Sequence, residues 1–318
     1  MAVYSPINKD ELTSYIEQYD IGTLLNFEDI LEGVENTNYK IITTKNCYIL
    51  TIFEKRVKTE DLPFFINLKK HLSLKKFKCP QPISNKKGKY INILKNKSCV
   101  IISYLQGSKI LKVKKQHCFQ IGNILALFHK ETQDFINTRN NTMNYSKWEN
   151  IFTKCNEFVN NQYIDIMPAI EKELIYLKNE WPKDLKKGII HADVFQDNVF
   201  FLNDKFSGLI DFYFSCNDFL SYDIALTINA WCFDNEFKFN SDRFIAFIKG
   251  YEGYRRLTKD EKNYLSILCR GAAIRILLTR IHDKIFHHKG AFVQPKNPNE
   301  YLTILKFHQE KNIVDYIK

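Results

Sequence analysis

No stretch of the 318-residue sequence approaches the ~18 consecutive apolar residues of a membrane-spanning helix, so none is expected. The opening residues Met1 to Pro6 lack a charged segment followed by an apolar core, and residue 2 is Ala rather than Gly. Neither a secretory leader nor N-myristoylation is therefore expected. Cys47, Cys79, Cys99, Cys118, Cys155, Cys216, Cys232 and Cys269 include no Cys-x-x-Cys pair, and several sit inside apolar runs. That predicts reduced, mostly buried thiols in a cytoplasmic protein and no zinc site. There is no internal repeat, no low-complexity linker, and no dense basic block beyond short runs such as Lys112 to Lys115.

What is present is an ordinary globular composition, 45% hydrophobic and 26% charged, which excludes a disordered chain, a fibre or a coiled coil. The length suits about two domains. Lys and Arg number 46 against 36 Asp and Glu, a net charge of +10. A basic balance admits nucleic acid, a membrane surface or a small anionic ligand such as a nucleotide. The lysines are scattered along the whole chain and read as a solvated surface. No continuous basic face interleaved with aromatics is present, so neither nucleic acid nor membrane is expected as a partner.

The first hundred residues differ in character from the rest. Asn8 with Glu11 can form a capping box for a helix over residues 9–19. β-prone runs follow at Thr23 to Leu31, Asn38 to Thr44 and Cys47 to Phe53, the last two joined by turn-forming Lys45-Asn46 as a hairpin. A helix is expected over 60–74, capped by Asp61 with Pro63 in its first turn. Two more β-prone runs lie near Tyr90 to Leu94 and Cys99 to Leu105. From residue 114 onward, helical apolar spacing dominates: 120–129, 145–160, 166–180, 221–233, 241–253 and 259–286. It is interrupted by a β-prone stretch over 189–212 with a turn at Asn203-Asp204-Lys205. The pattern predicts an α+β chain: a small β-rich N-terminal lobe, residues 1–104, and a larger, mostly helical C-terminal lobe, residues 105–318.

The chemistry concentrates in that interruption. His191-Ala192-Asp193 closes an apolar run, Asn198 follows five residues after Asp193, and Asp211 ends the second of two strand candidates. A hairpin returns its ends to one place, so Asn198 and Asp211 are expected as neighbours, with Asp193 one short loop away. Two carboxylates and an amide form a hard oxygen set suited to Mg²⁺, which also binds substrate phosphates. The spacing His-x-Asp-x-x-x-x-Asn, followed by Ile210-Asp211-Phe212, matches the kinase catalytic loop and its metal-binding Asp. Ala192 replaces the protein-kinase Arg, and Tyr213 replaces the Gly after Asp-Phe.

With Tyr222-Asp223-Ile224-Ala225, these residues resemble the aminoglycoside phosphotransferase and choline kinase superfamily of small-molecule kinases. The resemblance narrows over Gly33-Val34-Glu35-Asn36-Thr37-Asn38-Tyr39, Tyr48 to Arg56, Asp61-Leu62-Pro63-Phe64-Phe65, His191 to Phe214 and Cys269 to Arg280. These blocks look like the bacterial homoserine kinases of this fold. The resemblance implies a two-lobed protein-kinase-like fold, ATP as donor, and the side-chain hydroxyl of L-homoserine as acceptor, for threonine biosynthesis. Asp193 is then the catalytic base, and Asn198 and Asp211 hold Mg²⁺. Gly33, Val34, Asn36, Asn38, Thr51, Lys55 and Tyr104 are the nucleotide-side candidates. Asp223 is expected to help hold the catalytic loop, and His129 to be a packed core histidine.

The third-strand Lys of kinase-like folds is absent: Thr51 stands at its position, and the following helix has no acidic residue in its middle. Lys55 or Arg56 can take over the phosphate contact. Homoserine also carries an α-carboxylate and an α-ammonium, which need a cation and an anion. Arg270, Arg275 and Arg280 lie on an otherwise apolar helix, each rotated by about 140° from the last, so they face three directions. Arg270 and Arg275 are the candidates for the carboxylate; Glu35, Asp218 and Tyr213 are candidates for the ammonium or the acceptor side. The rival readings are a kinase of another hydroxyl compound (an aminoglycoside, choline or a methylthio-sugar) and a non-catalytic nucleotide-binding pseudokinase. A choline site needs an aromatic cage, which Trp231 and the many Tyr and Phe residues can supply. Buried arginines favour an acidic substrate group instead. The missing third-strand Lys favours a pseudokinase, and intact Asp193, Asn198 and Asp211 oppose it.

Overall fold

The computed structural model describes residues 4–31, 36–54, 57–159, 163–287 and 294–317. They fall into two units, one built on Met1–Gly107 with Gly208–Tyr213, the other on Ser108–Ser207, Phe214–Lys289 and Pro295–Lys318. A single boundary at residue 104 leaves the segment Gly208–Tyr213 on the other side from the unit it packs in.

In the first unit, α1 (Lys9–Ile16) starts with the expected capping box: the Glu11 N–H donates to Asn8 Oδ1 at 2.9 Å and the Asn8 N–H to Glu11 Oε2 at 3.2 Å. It ends three residues short of the expected 19. Then come β1 (Leu24–Ile30), β2 (Asn36–Thr43), β3 (Cys47–Phe53), α2 (Leu62–Leu74), β4 (Pro82–Ile83), β5 (Ile91–Leu94) and β6 (Lys97–Ser103). The strands form one antiparallel sheet ordered β1-β2-β3-β6-β4, with β5 also on β6. The Lys45-Asn46 turn sets the β2–β3 register, with Asn38 opposite Thr51 and Tyr39 opposite Leu50. Alternation along β2 sends Tyr39 and Ile41 inward, onto Leu12, Leu50, Ile52 and Ile101. Asp61 does not cap α2. A turn of 3₁₀-helix over Thr59–Asp61 already puts Asp61 in helical backbone, so its side chain is not aimed at the first free N–H groups. The segment Gly208–Tyr213 joins this unit through the Leu209 N–H, which donates to the Lys78 carbonyl at 3.0 Å.

The second unit holds α3 (Lys115–Glu131), α4 (Tyr145–Phe158), α5 (Met167–Glu180), β7 (Lys187–Ile190), β8 (Val199–Leu202), β9 (Lys205–Leu209, whose last two residues belong to the first unit), β10 (Cys216–Phe219), α6 (Leu220–Trp231), α7 (Ser241–Glu252), α8 (Lys259–Ile285) and α9 (Asn299–Glu310). The β8–β9 turn takes left-handed backbone at Asn203 and Asp204 (φ 50° and 59°), the two-residue hairpin geometry that Asn and Asp tolerate. α3 and α7 cross at glycines. A Cβ on Gly122 would lie 2.0 Å from the Phe247 carbonyl oxygen, and one on Gly250 2.1 Å from that of Phe119. This close approach carries His129 and Tyr251 within reach of one another. α6 is buried almost all round, and α8 runs beside it through the core.

His308, on α9, is fully enclosed. Its Nε2–H donates to Asn229 Oδ1 at 2.8 Å, and Nδ1 has no partner, so the ring is neutral. Burial, helped by the charge of Arg270, pushes its pKa down from 6.5 to about 3. The unfolded chain therefore takes up this proton first as pH falls, and stability drops between about pH 6.5 and 3, by at most about 1.4 kcal/mol per unit. His308→Gln keeps a donor toward Asn229 and cannot titrate. Its melting temperature is expected to fall less than the parent's between pH 7 and 5; parallel curves would remove His308 from the acid response.

Candidate active site

The loop after β7 carries Asp193 on a strained support. Ala192 takes left-handed backbone, φ 62°, which costs a non-glycine residue about 1–2 kcal/mol. Asp223, in the first turn of α6, offsets this. Its Oδ2 accepts the His191 N–H at 2.7 Å and its Oδ1 the Ala192 N–H at 2.8 Å. Asp223 is wholly buried; burial alone would raise its pKa, but the bonds from His129 and the His191 N–H hold it below the usual carboxylate range. The network continues outward. His129 Nε2 lies 3.1 Å from Asp223 Oδ2, and its Nδ1 accepts the Tyr251 hydroxyl at 2.8 Å. Arg255 donates to Tyr251 at 3.1 Å and pairs with Glu261. The far end of α6 fixes the rest of the loop: Trp231 Nε1 donates to the Val194 carbonyl at 2.7 Å, and Gln196 Nε2 to that of Ala230 at 3.1 Å.

Asn198 closes the loop. Its Nδ2 donates to the Asp193 backbone carbonyl at 2.9 Å and to Asp193 Oδ2 at 2.7 Å. This orients the carboxylate and leaves the amide's Oδ1 facing away as an acceptor. The side-chain oxygens of Asn198 and of Asp211 are each hard donors of the kind Mg²⁺ takes. Among the described residues, no group of three or more His, Cys, Asp and Glu is arranged to hold a metal alone. Asn198 belongs to the second unit and Asp211 to the first.

In the first unit Asp211 also has left-handed backbone, φ 59°. Tyr213 packs edge-on to Phe53 and Phe65, centroids 5.3 and 5.4 Å apart. Burial and then the Asp211 charge push its phenol up, and Thr51 partly offsets this. Thr51, in β3, donates to Asn38 Oδ1 at 2.8 Å. Asn38, Thr51, Tyr213 and Asp211 are thus brought into one neighbourhood. Asn36 is buried with its Oδ1 unpartnered. Tyr104, just past β6, is half exposed beneath Lys40. Gly33, Val34, Glu35, Lys55 and Arg56 lie outside the described residues. Two groups here escaped the sequence reading. Lys69, on α2, is 2% exposed with its Nζ 4.9 Å from the Tyr213 ring centre. Burial lowers its pKa, and Cys79 and Asp211 counter that. It is a buried cation within electrostatic reach of Asp211, on a helix with no acidic residue in its middle. Glu54, just after β3, accepts from Thr37 at 2.7 Å and Ser5 at 2.8 Å and pairs with Lys97.

The three arginines of α8 separate as their spacing requires. Arg270 binds Glu173 through two bonds, at 2.6 and 2.7 Å, and stacks on Tyr176. Arg280 pairs with Glu300 at 2.5 Å. Arg275 is 2% exposed, makes no ion pair, and has an unpartnered Nη1. Asp218, in β10, accepts from Asn141 at 2.6 Å and from the Phe219 N–H at 2.7 Å; burial raises its pKa. Of the two arginines expected to meet a carboxylate, Arg270 is committed to Glu173 and Arg275 is not ion-paired.

A held carboxylate in a His-x-Asp-x-x-x-x-Asn loop, with a second Asp on a return segment, is the equipment of a phosphotransferase. Residues 26–257 match the phosphotransferase enzyme family, and the chain belongs to it. It is 43% identical over 309 residues to the homoserine kinase of Parvibaculum lavamentivorans, covering 97% of this chain and 96% of that protein. Within the family the chain therefore groups with the homoserine kinases. Solved structures share its fold. A spectinomycin phosphotransferase determined with ADP and spectinomycin superposes with TM-score 0.67 at 17% identity, over 98% of both chains. An amicoumacin kinase determined with AMP-PNP and Ca²⁺ gives TM-score 0.68 at 15% identity, over 97% of this chain and 94% of the other. No helix among the described residues is long and apolar enough to cross a membrane.

Proposed function

We propose that Asp193 is the catalytic base of this ATP-dependent homoserine kinase, which converts L-homoserine to O-phospho-L-homoserine for threonine synthesis in the cytoplasm. The observation that carries the assignment is the 2.7 Å bond from Asn198 Nδ2 to Asp193 Oδ2. It fixes the carboxylate on a loop that Asp223 already holds, so one oxygen is presented in a constant position to an incoming hydroxyl. Phosphoryl transfer asks the protein mainly for positioning and charge neutralisation. Asp193 orients the acceptor hydroxyl and takes its proton as the new P–O bond forms. Asn198 Oδ1 and the Asp211 carboxylate would hold Mg²⁺. When bound, the ion neutralises charge on the transferring phosphates. Asn36, Asn38, Thr51 and Tyr104 serve the nucleotide side, together with Gly33, Val34 and Lys55. Tyr213 shapes the floor beneath Asp211 rather than touching the acceptor, in keeping with its packing on Phe53 and Phe65.

Coupled ADP release tests this reading. L-Homoserine should be turned over in preference to choline, an aminoglycoside or a methylthio-sugar. Chelation of Mg²⁺ should abolish the rate, and Asp211→Ala should lower kcat by about 10²-fold or more. Asp211→Ala at the parental rate and Mg²⁺ requirement would take Asp211 out of the metal site. Turnover of another alcohol but not of homoserine would overturn the substrate.

A further inference from the structure

Arg275 is a charge without a counterpart. Burying a guanidinium is strongly unfavourable unless it is paired. Its two companions on α8 are paired with Glu173 and Glu300; Arg275 is as buried as either and is not. The Tyr222 hydroxyl is buried beside Arg275 without a hydrogen bond of good geometry, and the hydroxyls of Ser215 and Ser221, close to it along the chain, are buried and unpartnered as well. Native proteins seldom bury one such group without a reason. Arg275 on α8 and the Tyr222 hydroxyl in the first turn of α6 together form a seat for a polar ligand.

Asp218 supplies the opposite charge. It is within electrostatic reach of Arg275 but forms no ion pair with it, although each would gain by doing so. Asn141 and the Phe219 N–H each hold one of its oxygens, at 2.6 and 2.7 Å, which fixes the carboxylate away from the guanidinium. A fixed anion and a fixed cation, within electrostatic reach but not paired, complement a zwitterion. Tyr301 connects this seat to the reaction: its phenol feels both Arg275 and Asp193.

We propose that Arg275 and Asp218 read the two ends of an α-amino acid, the guanidinium taking the α-carboxylate and Asp218 the α-ammonium, with the hydroxyl of Tyr222 completing the carboxylate seat. This rests on Asp193 as the base, since the same molecule must present its side-chain hydroxyl there. It gives the kinase a specific requirement: an alcohol lacking either charged group leaves a buried partner unpaired and is rejected.

The test is kcat/KM for three substrates: L-homoserine, aminopropanol (no carboxylate) and γ-hydroxybutyrate (no ammonium). The parent should prefer homoserine over both. Arg275→Leu should lower kcat/KM for homoserine by about 30-fold or more and leave its ratio to aminopropanol close to one. Asp218→Asn should erase discrimination against γ-hydroxybutyrate while keeping that against aminopropanol. Arg275→Lys, which retains the charge without the bidentate fork, should keep part of the preference and serves if the Leu variant fails to fold. Equal losses on all three substrates would reduce Arg275 to a structural role and overturn the proposal, as would unchanged preferences. An active Asp193→Asn enzyme would instead remove the base while leaving the discrimination ratios to be judged on their own.

Discussion

Asp193→Asn is expected to lower kcat by about 10²–10⁴-fold, the usual contribution of a positioned general base, with little change in homoserine KM or melting temperature. The substitution is isosteric. An asparagine oxygen still accepts the Asn198 amide that bonds Asp193 Oδ2 at 2.7 Å, so the loop keeps its shape and only the proton acceptor is lost. The effect should be confined to the chemical step, and single-turnover measurement with saturating ATP and homoserine isolates it. A folded variant within tenfold of the parent would deny Asp193 this role. The same protein should still show thermal stabilisation by homoserine, because the groups proposed for the amino-acid head lie on β10, α6 and α8 rather than on this loop.

Much of this was legible because it is local. The Asn8/Glu11 capping box, the Lys45-Asn46 hairpin and the left-handed Asn203-Asp204 turn are short-range rules written in adjacent residues, and the structure has all of them. The spacing from His191 to Asn198 is of the same kind: the amide closes back on Asp193 within one short loop. The failures are of two sorts. α9 was missed although Tyr301, Ile304, Leu305 and His308 repeat at helical spacing, a signal that a closer count recovers. β10 was not recoverable from propensity. Cys216-Asn217-Asp218-Phe219 contains two poor strand formers and is extended because β7 pairs with it. Asp218 gains its place from that pairing, so tertiary structure, not sequence pattern, sets it beside Arg275.

Arg270 and Arg275 show the limit in one helix. The rotation of successive arginines follows from helix geometry, and it separates their surroundings without saying what those contain. Glu173, nearly a hundred residues earlier on α5, is what occupies Arg270. Lys69 is the reverse case. A lysine amid Leu68, Lys70 and His71 reads as surface, yet it is among the most buried side chains, packed over Tyr213 beside Asp211. Position along α2 decides its burial, and the apolar spacing of that helix brackets it without identifying it.

The second large effect is expected at Asp223, which touches no substrate. Asp223→Ala leaves the buried N–H groups of His191 and Ala192 without acceptors and strips His129 of its partner, a loss of about 3–5 kcal/mol. Asp223→Asn is the sharper probe. Its single oxygen can serve one of the two backbone donors, while its NH₂ must face the other. His129 can relieve its own share by moving its proton to Nδ1, since the Tyr251 hydroxyl is able to accept as well as donate. One backbone N–H still stays orphaned, at a cost of about 1–3 kcal/mol. That N–H belongs to the pair that holds Ala192 at φ 62°, so the conformation presenting Asp193 loses its compensation. A displacement of the order of 1 Å at a reacting group costs about 10²-fold. The folded Asn variant should therefore show a lower melting temperature and a kcat reduced by about that factor, with KM for ATP and homoserine nearly unchanged. A variant that loses stability but keeps the parental kcat would show that the loop holds Asp193 in place without Asp223, and would return the network from α3 through α7 to a purely structural role.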